Sequence, residues 1–206
     1  MAILATNAGG GEFKQLDPGT YIARCINVWS IGTQYNKWHD NWNAKVILRW
    51  EIPEEEDSEG KPVTISAFYT LSLHEKSNLY KHLVAWRGRN FTPAELIGFD
   101  LKSVLGAPCL LTVTHTPDGK QKVGGVSKIG KGMNCPEAIH ATSIYDPLDD
   151  VGLEGWNALP EWVQKQAEQS RERMSPEKLE QVQSGVDHEP VTTGANDTNA
   201  EDDIPF

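Results

Sequence analysis

A chain of 206 residues with 38% apolar side chains, 19 Lys and Arg against 29 Asp and Glu, and a formal net charge of −10 can hold one domain of ordinary size with appendages. It contains no run approaching the ~20 apolar residues of a membrane span, and its N-terminal MAILATNAGGGEFKQ has neither the basic start nor the apolar centre of a signal peptide. Cys25, Cys109 and Cys135 are odd in number and widely separated, which argues against a disulfide framework or a C-x-x-C metal clip and for reduced thiols in a cytoplasmic protein.

The charge is unevenly placed. Residues 1–145 carry 15 Lys and Arg against 14 Asp and Glu, whereas residues 146–206 carry 4 against 15. Five of the body's acids sit in one run, Glu54, Glu55, Glu56, Asp57 and Glu59, so the rest of the body is basic. Segregation of this kind suits a body that faces nucleic acid and an acidic tail that faces protein. The alternative on composition alone is a neutral domain with a solubilising tail.

In chain order, residues 1–15, with three consecutive glycines, read as a flexible arm. Residues 18–29 read as a first strand, rich in Thr, Tyr, Ile, Val and Trp. A polar loop, SIGTQYNKWHDN, follows. Residues 42–52 alternate strictly, with Trp42, Ala44, Val46, Leu48, Trp50 and Ile52 on one side and Asn43, Lys45, Ile47, Arg49 and Glu51 on the other, the pattern of a half-buried strand. The acidic run with Gly60 forms a hairpin loop, and residues 62–70 form a third strand whose core face is Val63, Ile65, Ala67 and Tyr69. Phe68 is an aromatic on its polar face.

Residues 74–86 carry Leu79, Leu83 and Trp86 at helical spacing, with Gly88 to end the helix. Thr92 and Pro93 open a second short helical turn. Residues 108–116 and 121–129 are a fourth and a fifth strand around the turn Pro117, Asp118, Gly119. The expected fold is therefore mainly β, with the order β-β-β-α-β-β of a five-stranded OB-fold barrel over residues 16–145, a fold that binds oligonucleotides on strands 2 and 3 and on the loops joining strands 1–2 and 4–5. Residues 146–174 form a docking segment with an additional C-terminal helix in PEWVQKQAEQSRERM. Residues 175–200 read as a disordered linker, and residues 201–206 as an acidic tip.

Binding a single strand takes cations along the backbone and rings on which bases stack, the latter worth about 1–3 kcal/mol per base. Loop 1–2 offers Tyr35, Lys37 and Trp38, with Trp42 beside it at the start of strand 2. Lys45, Arg49 and Phe68 line the polar face of strands 2 and 3, Lys120 and Lys122 flank the turn between strands 4 and 5, and Lys128 ends strand 5. Arg87 and Arg89 either grip phosphates or cap the helix before them. Trp38 and Phe68 read as stacking rings, while Trp42, Trp50 and Tyr69 are in phase with the core face. Catalysis finds little support: the six histidines fall in no H-E-x-x-H, no G-x-S-x-G or P-loop stretch occurs, and no metal or cofactor is expected.

With these residues in view, the terminal Asp202, Asp203, Ile204, Pro205 and Phe206 resemble the acidic tip of bacterial single-stranded DNA-binding proteins. GTYIARCINVWSIGTQ, YTLSLHEKSNLYKHLVAWRGRNF and LPEWVQKQ resemble a phage and mobile-element branch of that family. The resemblance implies a non-catalytic protein of bacteriophage type, acting in the bacterial host cytoplasm, that coats single-stranded DNA in DNA replication, DNA recombination or DNA repair. It implies docking of the tip on the enzymes of those processes, away from any membrane, with a homo-oligomer possible. The competing reading is a protein-binding adaptor or decoy that uses the tip without significant DNA binding.

Overall fold

The computed structural model describes residues 14–148 and 153–183. Among them the chain forms a six-stranded, mostly antiparallel sheet with a few short helices. Strand β1 (Gly19–Asn36) is the hub: its first third pairs antiparallel with β4 (Pro108–His115) and the remainder with β2 (Asn41–Glu56). β2 pairs with β3 (Pro62–Thr70) and β4 with β5 (Gln121–Ser127), giving the order β3-β2-β1-β4-β5. A short strand β6 (Ser143–Tyr145) adds in parallel to Asn27–Trp29 of β1. The five strands and their sequence positions follow the expected order, and β6 is an addition.

Strand β1 runs seven residues past its expected end. The supposed loop 1–2 is mostly strand, with a turn confined to residues 37–40. Cross-strand pairing of Thr33, Gln34, Tyr35 and Asn36 with Ala44, Asn43, Trp42 and Asn41 overrides the polar composition there. The ladder is interrupted by bulges between Cys25 and Asn27 and between Ser30 and Thr33, each adding a residue to β1 and bending it.

The alternation read in β2 and β3 sets two faces. Val46, Leu48, Trp50 and Ile52 meet Val63, Ile65, Ala67 and Tyr69 in the main core, closed by Leu79, Leu83 and Trp86 of α1 (Asn78–Arg87). Helix α1 starts four residues later than the periodicity suggests because Ser77, in extended conformation, caps it by accepting the Tyr80 N–H. Gly88, in the left-handed region, ends it. Helix α2 (Pro93–Ile97) opens on Thr92 and Glu95 in a reciprocal capping box.

The opposite face of β1, β2 and β3 is also covered. Trp29, Ile31, Ile47 and Tyr145 pack against Leu159, Val163 and Ala167, with Phe68, Trp156 and Trp162 at the margin. Trp156 comes from α3 (Glu154–Ala158), Trp162, Val163 and Ala167 from α4 (Glu161–Ala167), and Leu159 from the turn between them. The helix expected through Met174 stops at Ala167: the Arg171 N–H bonds Thr33 of β1 at 2.8 Å instead of continuing the helix. A further helix, α5 (Pro176–Gln183), occupies the start of the stretch expected to be a linker, and Val182 is buried. Among the described residues no helix is long and apolar enough to cross a membrane.

Candidate nucleic-acid interface

Tyr35, Lys37, Trp38 and Trp42 are brought together on the projecting end of the β1–β2 hairpin. Tyr35 and Trp42 are direct cross-strand partners with ring centroids 5.3 Å apart. The Tyr35 hydroxyl donates to Asp40 at 2.6 Å, a bond that holds the phenol above its ordinary pKa. In the turn, the Trp38 N–H donates to the Asn36 side-chain oxygen at 2.9 Å, and Asp40 takes a positive φ of 49°. This leaves the Trp38 indole 78% exposed, with the Lys37 ammonium 5.1 Å from its ring centroid. An exposed indole with a cation over it is a surface on which a base can stack.

The candidates on strands 2 and 3 are differently placed. The Phe68 ring, expected to face solvent, is half-buried and meets Trp162 edge-on at 6.3 Å. Trp162 also meets Trp29 at 6.0 Å. The Arg49 guanidinium lies 5.9 Å from the Trp29 ring and donates to the Thr64 hydroxyl at 2.6 Å, and burial lowers its pKa. The Lys45 ammonium donates to the Thr70 hydroxyl at 2.7 Å. The polar face read from alternation is therefore a second core with two cations at its edge. Sequence could not show this, because the residues that cover it lie about a hundred positions further along the chain.

Arg87 and Arg89 converge on one carboxylate. Arg87 pairs with Glu95, and its guanidinium packs over Phe91 and Phe99 at 4.3 and 4.8 Å. Arg89 pairs with the same Glu95 at 2.7 Å. The hydrogen bond from Arg89, followed by the Thr92 N–H, depresses the Glu95 carboxyl far below its ordinary pKa. Both arginines share Glu95 as their ion-pair partner, Arg87 largely buried and Arg89 exposed.

Lys120 pairs with Asp118 at 3.2 Å in the β4–β5 turn, Lys122 lies opposite Thr114 in β5, and Lys128 is exposed after β5 with its N–H on the Ala85 carbonyl. The strand pairing sets this turn at the Gly19 end of β1 and the aromatic hairpin at the Asn36 end.

Sequence reading missed Arg171. Its guanidinium lies 6.0 Å from the Trp42 ring centroid, brought there by the segment after α4. The only prior signal was the Arg171, Arg173 pair in a tail that is otherwise acidic. Arg173 differs: it stacks on Trp156 at 3.6 Å and donates to the Tyr145 hydroxyl.

Among the described residues no group of three or more His, Cys, Asp and Glu is arranged to hold a metal ion. Cys25, Cys109 and Cys135 are buried free thiols. Burial pushes Cys25 up to about 12 and raises Cys109 and Cys135 above their ordinary value. Residues Asp202 to Phe206 lie outside the described residues. No family model matches the chain, and no curated protein matches it.

Proposed function

We propose that the protein is a non-catalytic single-stranded DNA-binding protein, which coats strands in replication, recombination or repair and recruits partner enzymes through Asp202, Asp203, Ile204, Pro205 and Phe206. The observation that carries the reading is the hairpin end. Four of the twelve DNA-binding candidates, Tyr35, Lys37, Trp38 and Trp42, share it, and the indole of Trp38 stands in water under a lysine with no carboxylate on it among the described residues. The strand order β3-β2-β1-β4-β5 supports an OB barrel, since joining β3 to β5 would close it in the order of that fold.

A second reading, the protein-binding adaptor, is favoured by a specific feature. Helix α4 lies on the face of β2 and β3 where an OB fold takes its strand, and its Trp162 half-covers Phe68. Titration of tryptophan fluorescence with an oligothymidine strand separates the two. The DNA reading expects quenching, weak competition by duplex, and affinity that falls steeply with salt as counterions are released. Absent or salt-independent binding, or equal affinity for duplex, leaves the adaptor.

A further inference from the structure

The segment after α3 is attached to the sheet in two chemically different ways. Helix α4 is held by apolar contact through Val163 and Ala167. Arg171 and Glu172 instead make a polar clasp on one residue of β1. The Thr33 N–H and hydroxyl donate to the two carboxylate oxygens of Glu172 at 2.9 and 2.6 Å, and the Thr33 carbonyl accepts the Arg171 N–H at 2.8 Å. All three polar groups of Thr33 are thereby taken by two consecutive residues.

The bulge between Ser30 and Thr33 makes this possible, because it disrupts the ladder locally and re-aims the strand. Gly32, inside the bulge, has φ +74°, and a Cβ there would lie 2.6 Å from the Ser170 Cβ and 2.7 Å from a Glu172 carboxylate oxygen. Only glycine allows both the backbone conformation and the close approach. Burial raises the Glu172 carboxyl pKa, but the Thr33 bonds outweigh that and leave it below its ordinary value, so the clasp is ionised at neutral pH.

The clasp sits at the root of the aromatic hairpin and determines what lies beside it. Thr33 is two residues before Tyr35, and Gln34 also reaches the Gln166 carbonyl at 3.1 Å. The exposed Arg171 guanidinium is set against Trp42, whose partner is Tyr35. Arg171 has no ion pair among the described residues, whereas Arg87, Arg89, Lys120 and Lys165 are each held by a carboxylate. An unneutralised guanidinium beside a ring pair repeats the arrangement of Lys37 and Trp38 at the tip, so a cation from the clasp segment and one from the hairpin each sit beside a hairpin ring. That arrangement suits a phosphate backbone with splayed bases.

We propose that the clasp is part of the single-strand site: Arg171 binds a phosphate next to a base stacked on Tyr35 and Trp42, and Glu172 is a positioning residue that holds the hairpin through Thr33. The inference rests on the single-strand reading above and gives the strand a path along the hairpin instead of across the face that α4 covers.

The test measures affinity and salt slope for oligothymidine and oligouridine with the full chain, Arg171→Gln, Arg171→Glu, Glu172→Ala and a control of equal charge change on the same segment, Lys165→Glu. Circular dichroism checks that each variant is folded, and Arg171→Gln carries the test if the charge reversal does not fold. Arg171→Gln is expected to weaken binding about 5- to 10-fold and to lower the salt slope by about 0.7, the loss of one phosphate contact to a single strand. Arg171→Glu loses more, and Lys165→Glu changes little. Glu172→Ala is expected to speed amide exchange at Thr33 and to weaken binding with the salt slope unchanged. Wild-type affinity and slope in both Arg171 variants, or an equal loss in Lys165→Glu, overturns the proposal while leaving the single-strand reading standing. No binding of either strand by the wild-type chain overturns both. Tighter binding of oligouridine with the same Arg171 effect upholds the site and makes its ligand RNA.

Discussion

Glu51, at the centre of β2, is fully buried and is held by His140: its carboxylate accepts the His140 N–H and contacts the His140 Nδ1, each at 2.7 Å. The Ile139 N–H donates to the same group at 2.9 Å. Burial works against its charge, and the His140 and Ile139 bonds nevertheless hold its pKa below the ordinary carboxylate value. The pair ties residues 139–140 to β2, just before β6 adds to β1. Replacing Glu51 by Ala leaves two backbone N–H groups and an imidazole without their acceptor, each orphaned donor costing about 1–3 kcal/mol. The expected outcome is a loss of several kcal/mol in urea unfolding with early proteolysis between residues 130 and 145. Wild-type stability of Glu51→Ala would show that the segment is held by β6 pairing alone.

Phe68 and Trp162 predict that the second core is separable from the first. Phe68→Ala and Trp162→Ala each remove a ring from a partly exposed contact and are expected to lower stability by about 1–3 kcal/mol, non-additively in the double variant because the rings touch. Trp50→Ala, which empties the centre of the main core beside Trp86, is expected to cost ~3–5 kcal/mol. Additive losses for Phe68 and Trp162 would contradict their contact.

Trp38 offers the contrasting case. Its indole touches little protein, so Trp38→Ala is expected to leave the melting temperature unchanged while weakening oligothymidine binding by about 1–3 kcal/mol. A drop in melting temperature with full binding retained would reassign the tip of the hairpin to a structural role.

His82 supplies a pH dependence. Its Nδ1 lies 2.9 Å from the Tyr69 hydroxyl, and burial, with Lys81 nearby, lowers its pKa from 6.5 to about 4. The unfolded chain binds this proton below pH 6.5 and the folded chain only near pH 4, so the unfolded state gains protons first as the pH falls. Stability from this group is present above pH 6.5 and is lost progressively down to pH 4, by roughly 3–4 kcal/mol at about 1.4 kcal/mol per unit. Glu51 and Glu172 have lowered pKa values and contribute in the other window, losing their stabilisation as the pH falls below the ordinary carboxylate range. His82→Gln is expected to flatten the stability curve between pH 6.5 and 4 and to leave the steeper fall at lower pH.

The C-terminal tip is tested by deletion. Removing Glu201 to Phe206 is expected to leave single-strand binding intact or tighter, since acidic residues that compete with phosphate are lost, and to abolish capture of replication and repair enzymes from a bacterial lysate. Phe206→Ala should nearly reproduce the loss of capture without altering DNA affinity. Undiminished capture by both variants excludes the docking role.

Alternation and turn chemistry determine β2, β3, β4, β5 and the main core, because a strand with one buried face must repeat every second residue and a tight turn needs residues such as Gly60 and Gly119, both at positive φ. The caps at Ser77, Gly88 and Thr92 are equally local and equally legible. The hairpin residues Tyr35, Lys37, Trp38 and Trp42 could be found from the sequence because aromatic and basic residues in a polar stretch stand out there. Their arrangement on paired strands could not, since pairing depends on the partner strand. Tertiary structure alone decides the fate of the other face. Whether Phe68 and Arg49 meet solvent depends on Trp162 and Val163, and whether Arg171 is one more tail charge or a neighbour of Trp42 depends on its backbone N–H choosing Thr33. These are contacts between segments far apart in sequence, and no local pattern encodes them.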